Sequence, residues 1–264
     1  MFYEGKLKKE IKEKLKILIP SKVISLIRKL KFSRSSKQKK IFHDGTIYYG
    51  VQEEDYELNI LSLLKNFSSK YDSFVNFGAN TGYFPLRLAK NFNTIIAVEA
   101  LKENFNILQK NIRENGFTKK IIGLNFAVSD HSKLITFYGN SSGGSAIKGW
   151  NNQVNKNQKV KAVTGDSLYH QYLNDKKGSL FLIDCEASEF EVLVGLKKTL
   201  RITDSTLIVE IPCREFMPND IFNPRFQDIF NFMFSYGYIA QIINGDGSLK
   251  NLSKEMIAKF VKEN

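Results

Sequence analysis

FVNFGANTGYF, residues Phe74 to Phe84, is the stretch whose reading decides the fold. Phe74, Val75 and Phe77 are large and apolar and make a short buried strand. The run breaks at Gly78, and Gly82 precedes a segment, Tyr83 to Asn91, that reads as a helix. Gly78 can take turn angles closed to other residues, and Gly82, with no side chain, would let the helix N-terminus approach a ligand. A strand, a glycine-bearing loop and a helix in that order form a nucleotide-type site at the C-terminal end of a sheet strand. Gly78, Ala79, Asn80, Thr81 and Gly82 are the candidate loop. Taken alone, such a loop is also what an ordinary turn looks like.

A second feature separates the two readings. TIIAVE, Thr94 to Glu99, is an apolar strand ending in an acid, and Glu99 lies 21 residues after Gly78. At that distance the second strand of a βαβ unit brings a carboxylate to the ribose hydroxyls of a bound nucleoside. A carboxylate accepts hydroxyl protons better than a neutral side chain does. Tyr83 and Phe84 stand where a dinucleotide site wants a small residue to admit a pyrophosphate. A nucleoside without a pyrophosphate is favoured, and S-adenosylmethionine is one.

Outward from this core, strand-like and helical runs alternate. Strands are expected at Ser73 to Phe77, Thr94 to Glu99, Ile121 to Val128, Leu134 to Tyr138, Val160 to Val163, Leu180 to Asp184, Leu207 to Ile211, Tyr238 to Ile243 and Ser248 to Leu249. Helices are expected at Glu53 to Phe67 (with Tyr56, Ile60, Leu63 and Leu64 inward), Tyr83 to Asn91, Leu101 to Asn115, Glu189 to Leu200 and Phe222 to Tyr236. The alternation predicts an α/β, Rossmann-like fold, a mostly parallel central sheet with helices on both faces. Asp44-Gly45, between two apolar runs, predicts a β-hairpin ahead of it.

The N-terminus differs in kind. Residues 1 to 40 hold 14 Lys or Arg against three acids, +11 of the chain's +12, so the domain expected over residues 41–264 is almost neutral. Leu7, Ile11, Leu15 and Leu18 recur at helical spacing among lysines, and Pro20 stops the run. Ser21 caps a second expected helix bearing Val23, Ile27 and Leu30, and residues 31–40 read as a linker. This segment is either a docking arm or a basic amphipathic device for an anionic membrane surface. Two cysteines exclude a disulfide framework, no Cys/His spacing suggests a metal, and no apolar stretch suggests a signal peptide or a membrane span. A cytoplasmic protein, peripheral on the inner membrane face if the basic segment binds there, is the expectation.

With these motifs in order, the chain resembles the FkbM family of S-adenosylmethionine-dependent methyltransferases. The resemblance rests on NFGANTGYF (Asn76 to Phe84), AVEA (Ala97 to Ala100), the asparagines of Asn106 to Asn115, NFAVSD (Asn125 to Asp130) and IDCEASEFEVLVG (Ile183 to Gly195), and covers roughly residues 45 to 245. It implies a class I methyltransferase fold with S-adenosylmethionine as cofactor. It implies cofactor contacts from Asn76, Gly78, Ala79, Asn80, Gly82, Tyr83, Glu99, Ala127 and Asp130. Asn76 stands where the family carries Asp and loses its charge; Ala100 replaces Pro, and Ala187 replaces Gly, which crowds a turn.

Asp184, Glu186 and Glu189 cluster just past a strand end, the edge where a doubly wound fold places ligands. Asp184 or Glu186 is the expected catalytic base, no metal is expected, and Glu189 is expected at a helix N-terminus, where its charge is favourable. His170 is a reserve base. Amino-methylating enzymes often carry a [DNS]-P-P-[YFW] loop after the fourth strand; here that position reads Asp184-Cys185-Glu186, and the near match, Asn223-Pro224-Arg225-Phe226, lies far downstream. An oxygen acceptor follows, and the resemblance implies a hydroxyl of a sugar, glycolipid or related metabolite. Gly139 to Lys159 is the expected wall over the acceptor, with Trp150 either stacking on a sugar or anchoring the packing. Two other readings stay open. One is an RNA methyltransferase gripping phosphates with its basic segment, disfavoured for want of an RNA-binding module. The other is a cofactor-binding scaffold without turnover, suggested by Asn76.

Overall fold

The computed structural model describes residues 38–139, 143–150, 157–173, 177–214 and 216–264. The two expected N-terminal helices, and all but the last three residues of the 31–40 linker, lie outside the described residues. The hairpin forms as expected. Strand β1 (Lys40–Ile41) pairs antiparallel with β2 (Ile47–Tyr48), and Asp44 Oδ1 accepts the Thr46 N–H at 2.9 Å inside the turn. Helix α1 spans Leu58–Phe67, later than the sequence suggests. Glu57, with φ 43°, is left-handed, and helical geometry cannot run back through it. Leu61 and Leu64 are its buried residues; Tyr56, expected inward, is exposed and meets the Tyr83 ring edge-on.

The domain is then wound from β3 (Ser73–Phe77), α2 (Tyr83–Leu88), β4 (Thr94–Val98), α3 (Lys102–Glu114) and β5 (Ile121–Leu124). After β6 (Ala127–Val128), β7 (Lys133–Tyr138) and β8 (Asn157–Val163) come α4 (Gly165–Tyr172), β9 (Leu180–Ile183), α5 (Glu189–Gly195), α6 (Lys197–Ile202) and β10 (Thr206–Val209). The central sheet has the order β10-β9-β3-β4-β5, and every pairing in it is parallel. Strand β3 is buried throughout, and its side chains alternate between faces. Phe74 joins Ile95, Leu180 and Leu182 under α1, α2 and α3. Val75 and Phe77 join Ile96, Val98, Phe181 and Ile183 under α4, α5 and α6. The chain leaves β3 toward β4 and β5, then returns to its other side for β9 and β10. That reversal opens a crevice at the C-terminal ends of β3 and β9.

Four expectations are corrected. The run Ile121 to Val128 is two strands in two sheets: after β5 the chain turns at Asn125, whose Nδ2 donates to the carbonyls of Glu99 and Ala100 at 2.8 and 3.0 Å. Strands β6, β8 and β7 form a separate three-stranded sheet beside the crevice, so β7 and β8 do not join the central sheet. The helix expected over Glu189 to Leu200 breaks at Leu196, which has φ −100° and ψ 1°. The helix expected from Phe222 starts at Phe226: α7 spans Phe226–Ser235, because residue 223 precedes a proline and Asn223 Oδ1 accepts the Arg225 N–H instead. The chain closes with the hairpin of β11 (Ala240–Ile243) and β12 (Leu249–Leu252) and with α8 (Lys254–Lys262).

Candidate functional site

The crevice holds a cavity of about 430 Å³, within the size range of small-ligand pockets, about 300–1,000 Å³. Gly78, Asn80, Glu99 and Asn104 line one end; Asp184, Glu186, Ser188 and Arg225 line the other. Phe126, Ala127 and Phe137 of the small-sheet region form a side wall, with Gly144, Ala146 and Ile147 beyond them.

The first end is built around Glu99. Its carboxylate accepts the backbone N–H of Asn80 at 2.9 Å, the backbone N–H of Leu101 at 2.8 Å and Asn104 Nδ2 at 3.5 Å. Burial nevertheless dominates and pushes its pKa up to about 7, the three donors only tempering the rise. Two acceptors beside it are unused: Asn80 Oδ1 and Asn104 Oδ1 are buried without a hydrogen-bond partner. Buried polar atoms are rarely left so, and both residues line the cavity. Asn104 is a site residue that sequence reading missed; its signal is its place in the first turn of the helix that follows the acid. The loop is pinned by the Gly78 and Ala79 N–H groups, which donate to the Val98 carbonyl at 3.0 and 2.9 Å. Gly78 has φ 82°, and a Cβ there would lie 1.8 Å from the Asp184 carbonyl oxygen. Only glycine lets the loop touch the end of β9.

At the second end Asp184 is almost wholly desolvated, which lifts its carboxyl well above the ordinary range, with Glu186 and Glu189 adding repulsion. Glu186 is lifted by burial and by the repulsion of Glu210 and Glu189. Glu189 heads α5, as expected, and its Oε1 accepts the N–H groups of Cys185 and Ala187 at 3.1 Å each. It holds the loop rather than lining the cavity. Glu186 and Ala187 have φ values of 50° and 70°, two successive left-handed residues without a glycine. Among the described residues no group of three or more His, Cys, Asp or Glu is arranged to hold a metal ion.

A family model described as the methyltransferase FkbM domain matches residues 76–240, more than half of the chain. The chain belongs to the FkbM methyltransferase family. As such it is a methyltransferase that uses S-adenosylmethionine. Among the curated proteins none matches this chain. Similar solved structures include a protein of the NADB-Rossmann superfamily from Streptococcus agalactiae (16% identity, covering 75% of this chain and 72% of that one, TM-score 0.42). Another is an O-methyltransferase from Bacillus cereus solved with SAH (13% identity, 76% and 80% covered, TM-score 0.42). A third is TrmK from M. capricolum with S-adenosyl-homocysteine (11% identity, 71% and 63% covered, TM-score 0.38).

Within this FkbM methyltransferase, the residues singled out in the sequence divide. Gly78, Asn80, Glu99, Ala127, Asp184 and Glu186 line one cavity. Asn76, Ala79, Gly82, Tyr83 and Asp130 stand behind it. Asn76 is buried in β3 and donates to the Leu182 carbonyl at 3.3 Å. Ala79 and Tyr83 belong to the core under α2, and the Tyr83 hydroxyl donates to the Glu54 carbonyl at 2.8 Å. At Gly82 a Cβ would meet Leu108 of α3 at 2.5 Å, so helix packing, not ligand approach, requires the glycine. Asp130 is kept low despite its burial by hydrogen bonds from Lys133, Ser129 and His131, and it anchors Ser129 and Lys133, which do line the cavity. His170 is exposed on α4, away from the cavity. Trp150 is buried against Ala187 and Met217, which leaves no ring face for a sugar. Asn223, Pro224 and Arg225, set aside as too far downstream, reach the cavity after all. The Asn223 carboxamide is engaged at both ends, donating to the Pro212 carbonyl at 2.9 Å and accepting from Arg225 N–H at 2.9 Å. Its amide oxygen is therefore committed to the loop instead of to an acceptor's amino group.

Proposed function

We propose that this methyltransferase methylates a hydroxyl of a sugar, glycolipid or related metabolite. One observation carries the reading: a single cavity joins Glu99 and two unpartnered amide oxygens at one end to the Asp184 and Glu186 carboxyls at the other. The first end fits a ribose. Three donors already occupy Glu99, and a carboxylate offers about four acceptor sites. One hydroxyl of a diol would use the remaining site, and Asn104 or Asn80 Oδ1 would take the second. S-adenosylmethionine, when bound, supplies an activated methyl group.

At the second end the chain's task is alignment and proton removal. The Asp184–Glu186 pair would take the proton of the acceptor hydroxyl as its oxygen bonds to the methyl carbon, while the carbon–sulfur bond of the cofactor breaks and S-adenosylhomocysteine leaves. Raised carboxyl pKa values bring a base closer to operating pH, and such a base contributes about 10²–10⁴-fold. The engaged carboxamide of Asn223 supports oxygen over nitrogen as the acceptor atom. With a panel of nucleotide sugars and glycolipids, Asp184→Asn and Glu186→Gln should keep cofactor affinity and lose methyl transfer. Full transfer in both variants would refute the base assignment.

Residues 1–40 are read as an anchor to an anionic membrane surface, which would bring the enzyme to lipid-linked acceptors. No helix among the described residues is long and apolar enough to cross a membrane. The full chain should sediment with anionic vesicles at low salt and much less with neutral ones. Indifference to anionic vesicles would make the segment a docking arm.

A further inference from the structure

The chain between β7 and β8 reaches Glu186 twice. Ser145, fully buried, forms a β-bridge with Tyr138 through backbone hydrogen bonds of 2.8 and 3.0 Å. Its Oγ donates to the Glu186 carbonyl at 2.6 Å and accepts the Ile147 N–H at 3.0 Å. Five residues on, Trp150 packs against Ala187 and Met217, which sets its indole beside Glu186. One short segment thus holds the backbone of one acid and packs against the residue that follows it. That acid and Ala187 are left-handed, a conformation that persists only when the surroundings hold it.

We propose that Ser145 and Trp150 are positioning residues for Glu186, so that residues 143–150 set where its carboxylate is presented in the cavity. The proposal rests on the reading of Glu186 as a proton acceptor. Four acids surround it, Asp184 and Glu189 on its own loop, Glu210 beyond β10 and Glu99 beyond β4, and Arg225 lines the same end of the cavity. All four acids disfavour its ionised form.

Trp150 is the only tryptophan of the chain, so its emission reports on Glu186 without any acceptor. The full chain is titrated while tryptophan fluorescence is recorded. Emission should show a transition displaced upward from the ordinary glutamate value of about 4.3. Glu186→Gln should abolish it. Asp184→Asn should keep it and move it to lower pH, because one like charge is gone. Ser145→Ala should keep the transition and shrink its amplitude. Emission that ignores pH, a transition surviving in Glu186→Gln, or a midpoint unmoved by Asp184→Asn would overturn the proposal. The readout needs no methyl transfer. Failure of the proton-acceptor reading would show differently, as full transfer by Glu186→Gln with the wild-type transition intact.

Discussion

Asn111 of α3 pairs with Tyr49 as a strand would: its Nδ2 donates to the Tyr49 carbonyl and its Oδ1 accepts the Tyr49 N–H, each at 2.8 Å. The same Nδ2 donates to the Thr81 carbonyl at 2.8 Å. One turn on, Asn115 repeats the pairing with Ile47 at 2.6 and 2.8 Å. The N-terminal hairpin is thereby fastened to the glycine loop through a helix, and the Tyr48 hydroxyl adds a 2.5 Å bond to Thr81.

Asn111→Leu should therefore loosen the hairpin and the loop together. It strands three buried backbone groups, each costing about 1–3 kcal/mol, so a loss of about 3 kcal/mol or more is expected. Thermal melting should drop by roughly 6–12 °C, and cofactor affinity should fall with it. A melt within about 1 °C of wild type would deny the asparagine its role as a surrogate strand.

The two loop glycines should respond unequally to alanine. At Gly78 the new Cβ would meet the backbone carbonyl of Asp184 at 1.8 Å, which cannot yield without moving β9's end. At Gly82 it would meet the tip of Leu108, a flexible side chain, at 2.5 Å. Both pay for a left-handed φ, but Gly78→Ala should cost several times more stability and abolish cofactor binding in calorimetry. Equal losses would mean that the loop and β9 are not in close register.

Stability without cofactor should fall as pH rises. Glu99 and Glu189 are both pushed up to about 7 by burial, whereas unfolded glutamates ionise near 4.3. Between these values the folded state binds more protons than the unfolded one, so unfolding free energy decreases with pH. Stability present below about pH 4.3 is lost by the time pH passes 7, on the order of a few kcal/mol for the pair. Differential scanning calorimetry across that window should show a falling midpoint, flattened in Glu99→Gln. A midpoint rising from pH 5 to 7 would contradict buried, proton-holding carboxyls.

The central βαβ unit was legible because a buried strand, a glycine loop and an acid at a fixed distance leave a one-dimensional signature. Gly78, Asn80 and Glu99 are legible in it, Asp184 and Glu186 in the acids past a later strand end, and all five line one cavity. What stayed hidden depends on contacts between distant residues. The need for glycine at residue 82 comes from Leu108 on another helix. Asn223 to Arg225 reach the cavity only because β10 and the turn after it bring them back. The split of Ile121 to Val128 follows from Asn125 capping Glu99 and Ala100 with its side chain, which strand periodicity does not reveal. Helix α8 was missed although Ser253 caps it, its Oγ accepting the Met256 N–H at 3.2 Å.

The nucleoside end of the cavity is tested most directly by calorimetry of the full chain with S-adenosylhomocysteine. Wild type should bind in the micromolar range, about −8 kcal/mol. Glu99→Ala, which removes the carboxylate that Asn80, Leu101 and Asn104 surround, should lose at least about tenfold, or 1.4 kcal/mol. Binding by Glu99→Ala at the wild-type level would contradict the ribose assignment and, with it, the way the cofactor is held.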